Sequence, residues 1–130
     1  MAKAAASFIS SVICLARPSK APLNIIVVDV SFISLEKIAY KIAEFKPTHL
    51  ICLIKPQFEN AKINKNGIVK DKSQYKTVIS NVAEEFLRYG LNLNGISVSP
   101  IKGGDGNIEY LALFKKINKE ADLNGTGKYR

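Results

Sequence analysis

The feature that most constrains the fold is the apolar run of residues 50–54, which is followed directly by Lys55 and Pro56. Five consecutive apolar residues bounded by a proline are typical of a strand that is buried on both faces, as in a parallel sheet. In open α/β sheets, ligands bind at the carboxyl ends of the strands. Lys55 is therefore either a residue that leaves the core for solvent or an ammonium group positioned in a cleft.

Periodic patterns on both sides of this run predict the remaining elements. In chain order we expect a strand over residues 25–30, a helix over 35–45, a strand over 50–54, a helix over 71–89, and strands over 95–99 and 108–114. Helical connections between strands indicate an α/β fold with a largely parallel sheet. The turn-rich residues 100–107 predict that the last two strands form an antiparallel hairpin. Residues 56–70 form a polar loop long enough to act as a functional lid.

Composition narrows the class of protein. The 130 residues suit one domain, and 19 Lys and Arg against 11 Asp and Glu give a net charge of +8. That charge fits either general solubility or a polyanionic partner such as nucleic acid. The single histidine, His49, and the cysteines Cys14 and Cys52, which form no CxxC pair, exclude a Cys/His zinc site. No apolar stretch reaches the ~18 residues that span a bilayer.

The breaker cluster at residues 18–22 predicts a boundary within the chain. Residues 1–22 are then an amino-terminal extension, 23–117 the domain, and 118–130 a flexible tail. The extension is rich in Ala and Ser and has no acidic residue. It is compatible with a cleaved signal, an organellar transit peptide, a short amphipathic helix, or a vector or reading-frame artefact.

Three charged residues lie within or at the ends of the predicted strands. Asp29 lies in the first apolar strand, Lys55 ends the second, and Glu109 opens the last. Parallel strands bring Asp29 and Lys55 to one edge of the sheet, and an antiparallel last strand can begin there as well. Burial of an unpaired carboxylate is costly, so Asp29 needs a partner. The glycine-rich residues 103–106 are interpreted as hairpin geometry, because no helix follows and no GK[ST] is present.

Four segments in order carry a family resemblance. They are VDVSFISL (residues 28–35), LIKPQFE (53–59), GIVKD (67–71), and SPIKG with GNIE (99–103 and 106–109). Together they resemble the carboxyl-terminal half of the hemolysin-A-like (TlyA) ribosomal RNA methyltransferases, relatives of the FtsJ ribose methyltransferases. The resemblance extends over residues 25–116.

The resemblance implies a partial Rossmann-like fold of S-adenosyl-L-methionine-dependent methyltransferases, with parallel strands ending in an antiparallel hairpin. It implies methyl transfer to a ribose 2′-hydroxyl of ribosomal RNA, and the partner is then either free ribosomal RNA or a ribosomal subunit. The expected compartment is the cytoplasm, or an organelle if residues 1–20 are a transit peptide. The family uses a Lys-Asp-Lys-Glu tetrad, of which Asp29, Lys55 and Glu109 are the matching members. Asp29 is also expected to contact the cofactor.

The first lysine of the tetrad, the glycine-rich cofactor turn and the S4 RNA-binding domain have no counterpart. We therefore expect this chain alone to be weak or inactive, and Lys55 to position and stabilise charge rather than to deprotonate. The residues expected to bind RNA phosphates are Lys62, Lys65, Lys70, Lys72 and Lys102.

The first strand should present an apolar edge, which a separate amino-terminal half, a second copy or the extension could cover. The competing functions are a truncated, non-enzymatic RNA-binding module and, in last place, a pore-forming hemolysin.

Overall fold

The structure is a computed structural model of the chain, and it describes residues 24–118. The elements are strand β1 (Ile25–Val28), helix α1 (Leu35–Glu44), strand β2 (His49–Ile54), a 3-10 turn (Pro56–Phe58), helix α2 (Ser73–Arg88), strand β3 (Leu91–Val98), a second 3-10 turn (Gly104–Gly106) and strand β4 (Tyr110–Lys116). The amino-terminal extension and the tail beyond Asn118 lie outside the described residues.

The strands form one sheet in the order β1-β2-β4-β3. β1 and β2 pair in parallel, whereas β4 is antiparallel to both β2 and β3. The α/β class and the final antiparallel hairpin are thus confirmed. The largely parallel sheet is corrected to a mixed one, because β4 inserts between β2 and β3. The strands β1, β2 and β3 still run in one direction, so their carboxyl ends share one edge.

Several predicted boundaries shift by a few residues. β3 begins at Leu91 instead of residue 95, immediately after Gly90, whose φ of 77° allows a tight turn out of α2. Its early part escaped detection because polar residues interrupt it and its pairing with β4 is irregular between Leu93 and Gly95. β1 ends at Val28 and β4 begins at Tyr110. Asp29 and Glu109 therefore lie just outside the strands.

Both helices pack against one face of the sheet, and their apolar stripes join the alternate strand residues in a single core. Leu50, Cys52 and Ile54 of β2 are fully buried in it. On β1, at the edge of the described sheet, Ile25 and Val27 are exposed. Within residues 24–118, no helix combines the length and apolarity needed to cross a membrane.

Candidate active site

An ion pair stands at the carboxyl ends of β1 and β2. The two strands pair in parallel with Val28 opposite Cys52, so the residues that follow them lie side by side. Lys55 Nζ lies 2.7 Å from Asp29 Oδ1 and donates a hydrogen bond of 3.0 Å to Ser31 Oγ. The Lys55 side chain is only 12% exposed, whereas that of Asp29 is 64% exposed. The ammonium is thus held at the edge of the core with an accessible carboxylate beside it.

Glu109 reaches the same region through a different contact. It is 7% exposed, and its Oε1 accepts a hydrogen bond of 3.0 Å from Gln57 Nε2. Gln57 lies in the 3-10 turn directly after Lys55. Within residues 24–118 no ion pair joins Glu109 to Lys55. The structure therefore brings Asp29 and Lys55 together directly. Glu109 instead contacts Gln57, which follows Lys55 by two positions and which the sequence interpretation did not assign.

The glycine-rich turn lies against the carboxyl group of Glu109. A Cβ atom on Gly103 would overlap Glu109 Oε1 and lie 2.7 Å from Glu109 Cδ. Glycine is therefore the residue that fits at this approach. The turn itself is closed by a bond of 2.8 Å from Gly103 N to Asn107 O, and Ser99 N donates to Glu109 O at 2.8 Å. The interpretation of these residues as part of the β3–β4 connection agrees with the structure.

Glu59 is a buried acid that the sequence interpretation did not single out. Its side chain is 7% exposed, and its Oε1 accepts a hydrogen bond of 2.8 Å from Leu35 N, the first residue of α1. Burial, aided by the negative charge of Glu36, raises the pKa of Glu59 to about 7, although the bond from Leu35 opposes this shift. The sequence feature that could have identified Glu59 as a site residue is its position at the end of the LIKPQFE segment.

A cleft of about 830 Å³ is lined by Gln57, whereas Asp29, Lys55, Glu59 and Glu109 are not part of its wall. Its wall includes Phe32 and Phe58, whose ring centroids lie 4.8 Å apart with planes tilted by 49°. Phe32 is 76% exposed, which is unusual for so large an apolar ring. Ser34 and Gln57 also line the cleft, and within the described chain Ser34 Oγ and Gln57 Oε1 are buried without a hydrogen-bond partner. The exposed aromatic ring of Phe32 provides a flat apolar surface in this wall.

The five lysines predicted to bind RNA are all exposed. Lys62, Lys65 and Lys70 belong to the loop between the first 3-10 turn and α2, and Lys72 stands immediately before α2. This loop is ordered by a bridge between Ile63 and Val69 and by the buried Asn107. Asn107 Oδ1 accepts from Val69 N at 3.1 Å, and its Nδ2 donates to Gly67 O at 2.9 Å.

These bonds join the lysine-containing loop before α2 to the glycine-rich turn. Lys102 lies directly before this turn. Ile63 and Gly67 of the loop, with Gly104 and Asp105 of the turn, line the cleft. Within residues 24–118 no group of three or more His, Cys, Asp or Glu residues is arranged to hold a metal ion.

The mixed sheet, with both helices on one face and its charged site at the strand ends, defines an α/β domain with a cleft at the sheet edge. The chain also matches the family model of the FtsJ-like methyltransferases over residues 6–116, beginning before the first of the four sequence segments. It therefore belongs to the FtsJ-like methyltransferase family. The predicted family is confirmed.

Two curated relatives and one solved structure illustrate the similarity. Hemolysin A of Brachyspira hyodysenteriae is 41% identical over 97 residues, which cover 70% of this chain and 40% of the relative. The 23S rRNA (cytidine-2′-O)-methyltransferase TlyA of Campylobacter jejuni is 35% identical, covering 75% of this chain and 40% of that protein. A hemolysin-like protein from Streptococcus thermophilus superposes with a TM-score of 0.72 at 36% identity, over 82% of this chain and 41% of the other. The chain thus spans about 40% of the length of these relatives.

Proposed function

We propose that this chain supplies the RNA-side part of a site that transfers a methyl group from S-adenosyl-L-methionine to a ribose 2′-hydroxyl of ribosomal RNA. The observation that carries the proposal is the Lys55 ammonium, which is held between Asp29 and Ser31 at the strand ends. Family membership supports methyl transfer, and the name of the Campylobacter relative supports ribosomal RNA and the 2′-oxygen as its target.

Lys55 acts as a hydrogen-bond donor and a local positive charge. Its contacts to a carboxylate and a hydroxyl stabilise the ammonium, so it is suited to orient the hydroxyl oxygen and to stabilise negative charge that develops there. Orientation of the two reacting groups can by itself supply several kcal/mol of the barrier reduction. Lys55 is therefore not assigned as the general base.

The cofactor fits this part of the site at one residue. Most of the Asp29 side chain is exposed beside Lys55, so its carboxylate can also contact a cationic group such as the amino group or sulfonium of S-adenosyl-L-methionine. When bound, the cofactor supplies an electrophilic methyl group. The remaining cofactor contacts are proposed to come from residues other than those of the described part, 24–118.

Glu109 contributes through Gln57. The bond of 3.0 Å between them holds the amide of Gln57, a residue of the cleft wall, in one orientation. Glu109 is thereby proposed to position Gln57 rather than to contact the reacting oxygen itself.

The aromatic pair is proposed to receive the base of the target nucleotide. Phe32 of the cleft wall directly follows Ser31, which bonds to Lys55, and an exposed ring offers a stacking surface. Enzymes that act on nucleotides in structured nucleic acids often extrude the base into such a pocket.

The five exposed lysines are proposed to contact phosphates. Each neutralised phosphate on single-stranded nucleic acid releases counterions, so the slope of log Kd against log salt changes by about 0.7 for each contact. We expect Lys62→Ala and Lys70→Ala each to weaken RNA binding and to flatten this slope.

Lys115→Ala is the matched control for these variants. Lys115 is also exposed, but it pairs with His49 at the amino end of β2, on the opposite edge of the sheet. Binding of a ribosomal RNA fragment is measured by fluorescence anisotropy at several salt concentrations. Equal effects of all three substitutions would contradict a localised RNA-binding surface.

The apolar edge of β1 is proposed to meet a separate amino-terminal half of the methyltransferase domain or a second copy of the chain. Within residues 24–118 β1 pairs with β2 alone, and a strand edge without a partner favours pairing. Calorimetric titration with S-adenosyl-L-methionine tests whether the chain alone holds the cofactor. We expect binding no tighter than millimolar.

RNA binding without methyl transfer in any combination of chains would favour the non-enzymatic RNA-binding module.

A further inference from the structure

Two turns carry the candidate site, and several contacts join them. The β1 turn comprises residues 29–34, and the β2 turn comprises residues 55–59. Lys55 of the β2 turn contacts Asp29 and Ser31 of the β1 turn, and Phe58 contacts Phe32. These contacts involve side chains that are largely exposed, such as Asp29 and Phe32. Contacts of this kind are weak constraints on geometry.

Glu59, at the end of the β2 turn, makes the contact that is buried. Its Oε1 accepts the N–H of Leu35, directly after the β1 turn and 24 positions away in the chain. Ser34 occupies the usual capping position of α1, but its side chain makes no capping hydrogen bond. Glu59 therefore replaces the local cap, and a carboxylate at a helix amino terminus also interacts favourably with the helix dipole.

The second oxygen of this carboxyl group is buried without a partner. Among the described residues, the buried side-chain atoms that lack a hydrogen bond are Ser34 Oγ, Gln57 Oε1 and Glu59 Oε2. All three belong to the β1 turn and the β2 turn. A buried carboxylate with one unpaired oxygen is costly, whereas its protonated form carries no charge and gains a donor.

We propose that Glu59 is the positioning residue that holds the β1 turn against the β2 turn, and that the gain and loss of its proton changes the placement of the Asp29–Lys55 pair. The description of this pair as a methyl-transfer site rests on the proposed function. The coupling between Glu59 and the two turns does not.

Glu59 gains and loses its proton near neutral pH. Its pKa is raised to about 7, chiefly by burial and further by the charge of Glu36 on α1. Within the described residues, the thiol of Cys52 on β2 also interacts with Glu59, and its pKa is raised to about 12 by burial and by the charge of Glu59. Cys52 therefore stays protonated throughout the titration of Glu59. Above pH 7 the ionised carboxylate bonds more strongly to Leu35 N, and below pH 7 this bond weakens.

The test is an NMR titration of the full chain between pH 5.5 and 8.5, which needs neither cofactor nor RNA. We expect the amide signal of Leu35 and those of Ser31, Phe32 and Lys55 to shift with a common midpoint near pH 7. In Glu59→Gln, which keeps the size and the acceptor oxygen, this common transition should vanish. In Glu36→Gln it should persist at a lower midpoint, because one negative charge that raises the pKa is removed.

The outcomes separate the proposal from its alternatives. A transition at Leu35 that is absent at Ser31, Phe32 and Lys55 would reduce Glu59 to a structural cap and overturn the positioning role. A transition that persists in Glu59→Gln would assign it to another group and overturn the proposal as well. If Glu59→Gln does not fold, the shift of the midpoint in Glu36→Gln still decides. Failure of RNA or cofactor binding would leave these results unchanged.

Discussion

Replacement of Gly103 by alanine tests how closely the glycine-rich turn is packed against the candidate site. Gly103 has φ of −67° and ψ of 177°, a conformation that any residue adopts. On backbone grounds alone, Gly→Ala at such a position stabilises a protein by about 0.4–1 kcal/mol. The surroundings reverse this expectation, because the new Cβ would lie 2.7 Å from Glu109 Cδ and 3.1 Å from Gln57 Nε2.

The expected loss of stability arises because the carboxylate of Glu109 has to move. Glu109 is buried, and its carboxylate must leave the bond of 3.0 Å to Gln57 to admit a methyl group. Loss of a buried hydrogen bond costs about 1–3 kcal/mol, and overpacking adds about 1–3 kcal/mol. After the backbone gain, we expect Gly103→Ala to lower the free energy of unfolding by about 1–5 kcal/mol.

Urea denaturation of purified variants measures this difference. Gly104→Ala is the matched control, since no atom lies within 4 Å of the position that its new Cβ would take, and its stability should be unchanged or slightly higher. In a Glu109→Ala background the overlap with the Glu109 carboxyl group disappears and only the contact of 3.1 Å with Gln57 Nε2 remains, so adding Gly103→Ala should cost less. A Gly103→Ala variant as stable as Gly104→Ala would refute the reasoning. So would an undiminished cost in the Glu109→Ala background.

Three further predictions address other parts of the domain. The pKa of Glu59 is 4.5 unfolded and about 7 folded, so its stabilising contribution is complete below pH 4.5 and is lost as pH rises through about 7. Urea denaturation should show a loss of about 3 kcal/mol that Glu59→Gln lacks. Cys52, fully buried with its pKa raised to about 12, should resist thiol reagents until the protein unfolds, as peptide mass mapping would detect. Gly90→Ala should cost about 1–2 kcal/mol in urea denaturation because φ is 77° there, and an unchanged midpoint would contradict this.

The elements that sequence predicted best are those with a strong period. The apolar stripes of α1 and α2 and the continuous run of β2 follow directly from the 3.6-residue and strand patterns. The start of β3 was missed because polar residues such as Asn92 and Asn94 obscure its alternation. A strand at the sheet edge needs fewer apolar residues, and its position there depends on pairing with β4.

The juxtaposition of Asp29 and Lys55 was predictable for a different reason. Both residues end apolar strands that are connected by a helix, and such strands run in parallel with their carboxyl ends together. Their distance and the additional bond to Ser31 were not predictable, since they depend on side-chain conformations in the folded turns.

What sequence alone determined is the class of fold and the family, because both are recorded in local patterns of a few residues; the same patterns also named Asp29, Lys55 and Glu109 as candidate site residues. Only the tertiary structure decided that β4 lies between β2 and β3, that Glu109 bonds to Gln57, and that Glu59 caps a distant helix. The two side-chain contacts join residues 24 or more positions apart. Burial and hydrogen bonding at such separations arise when the whole chain packs, and no local pattern encodes them.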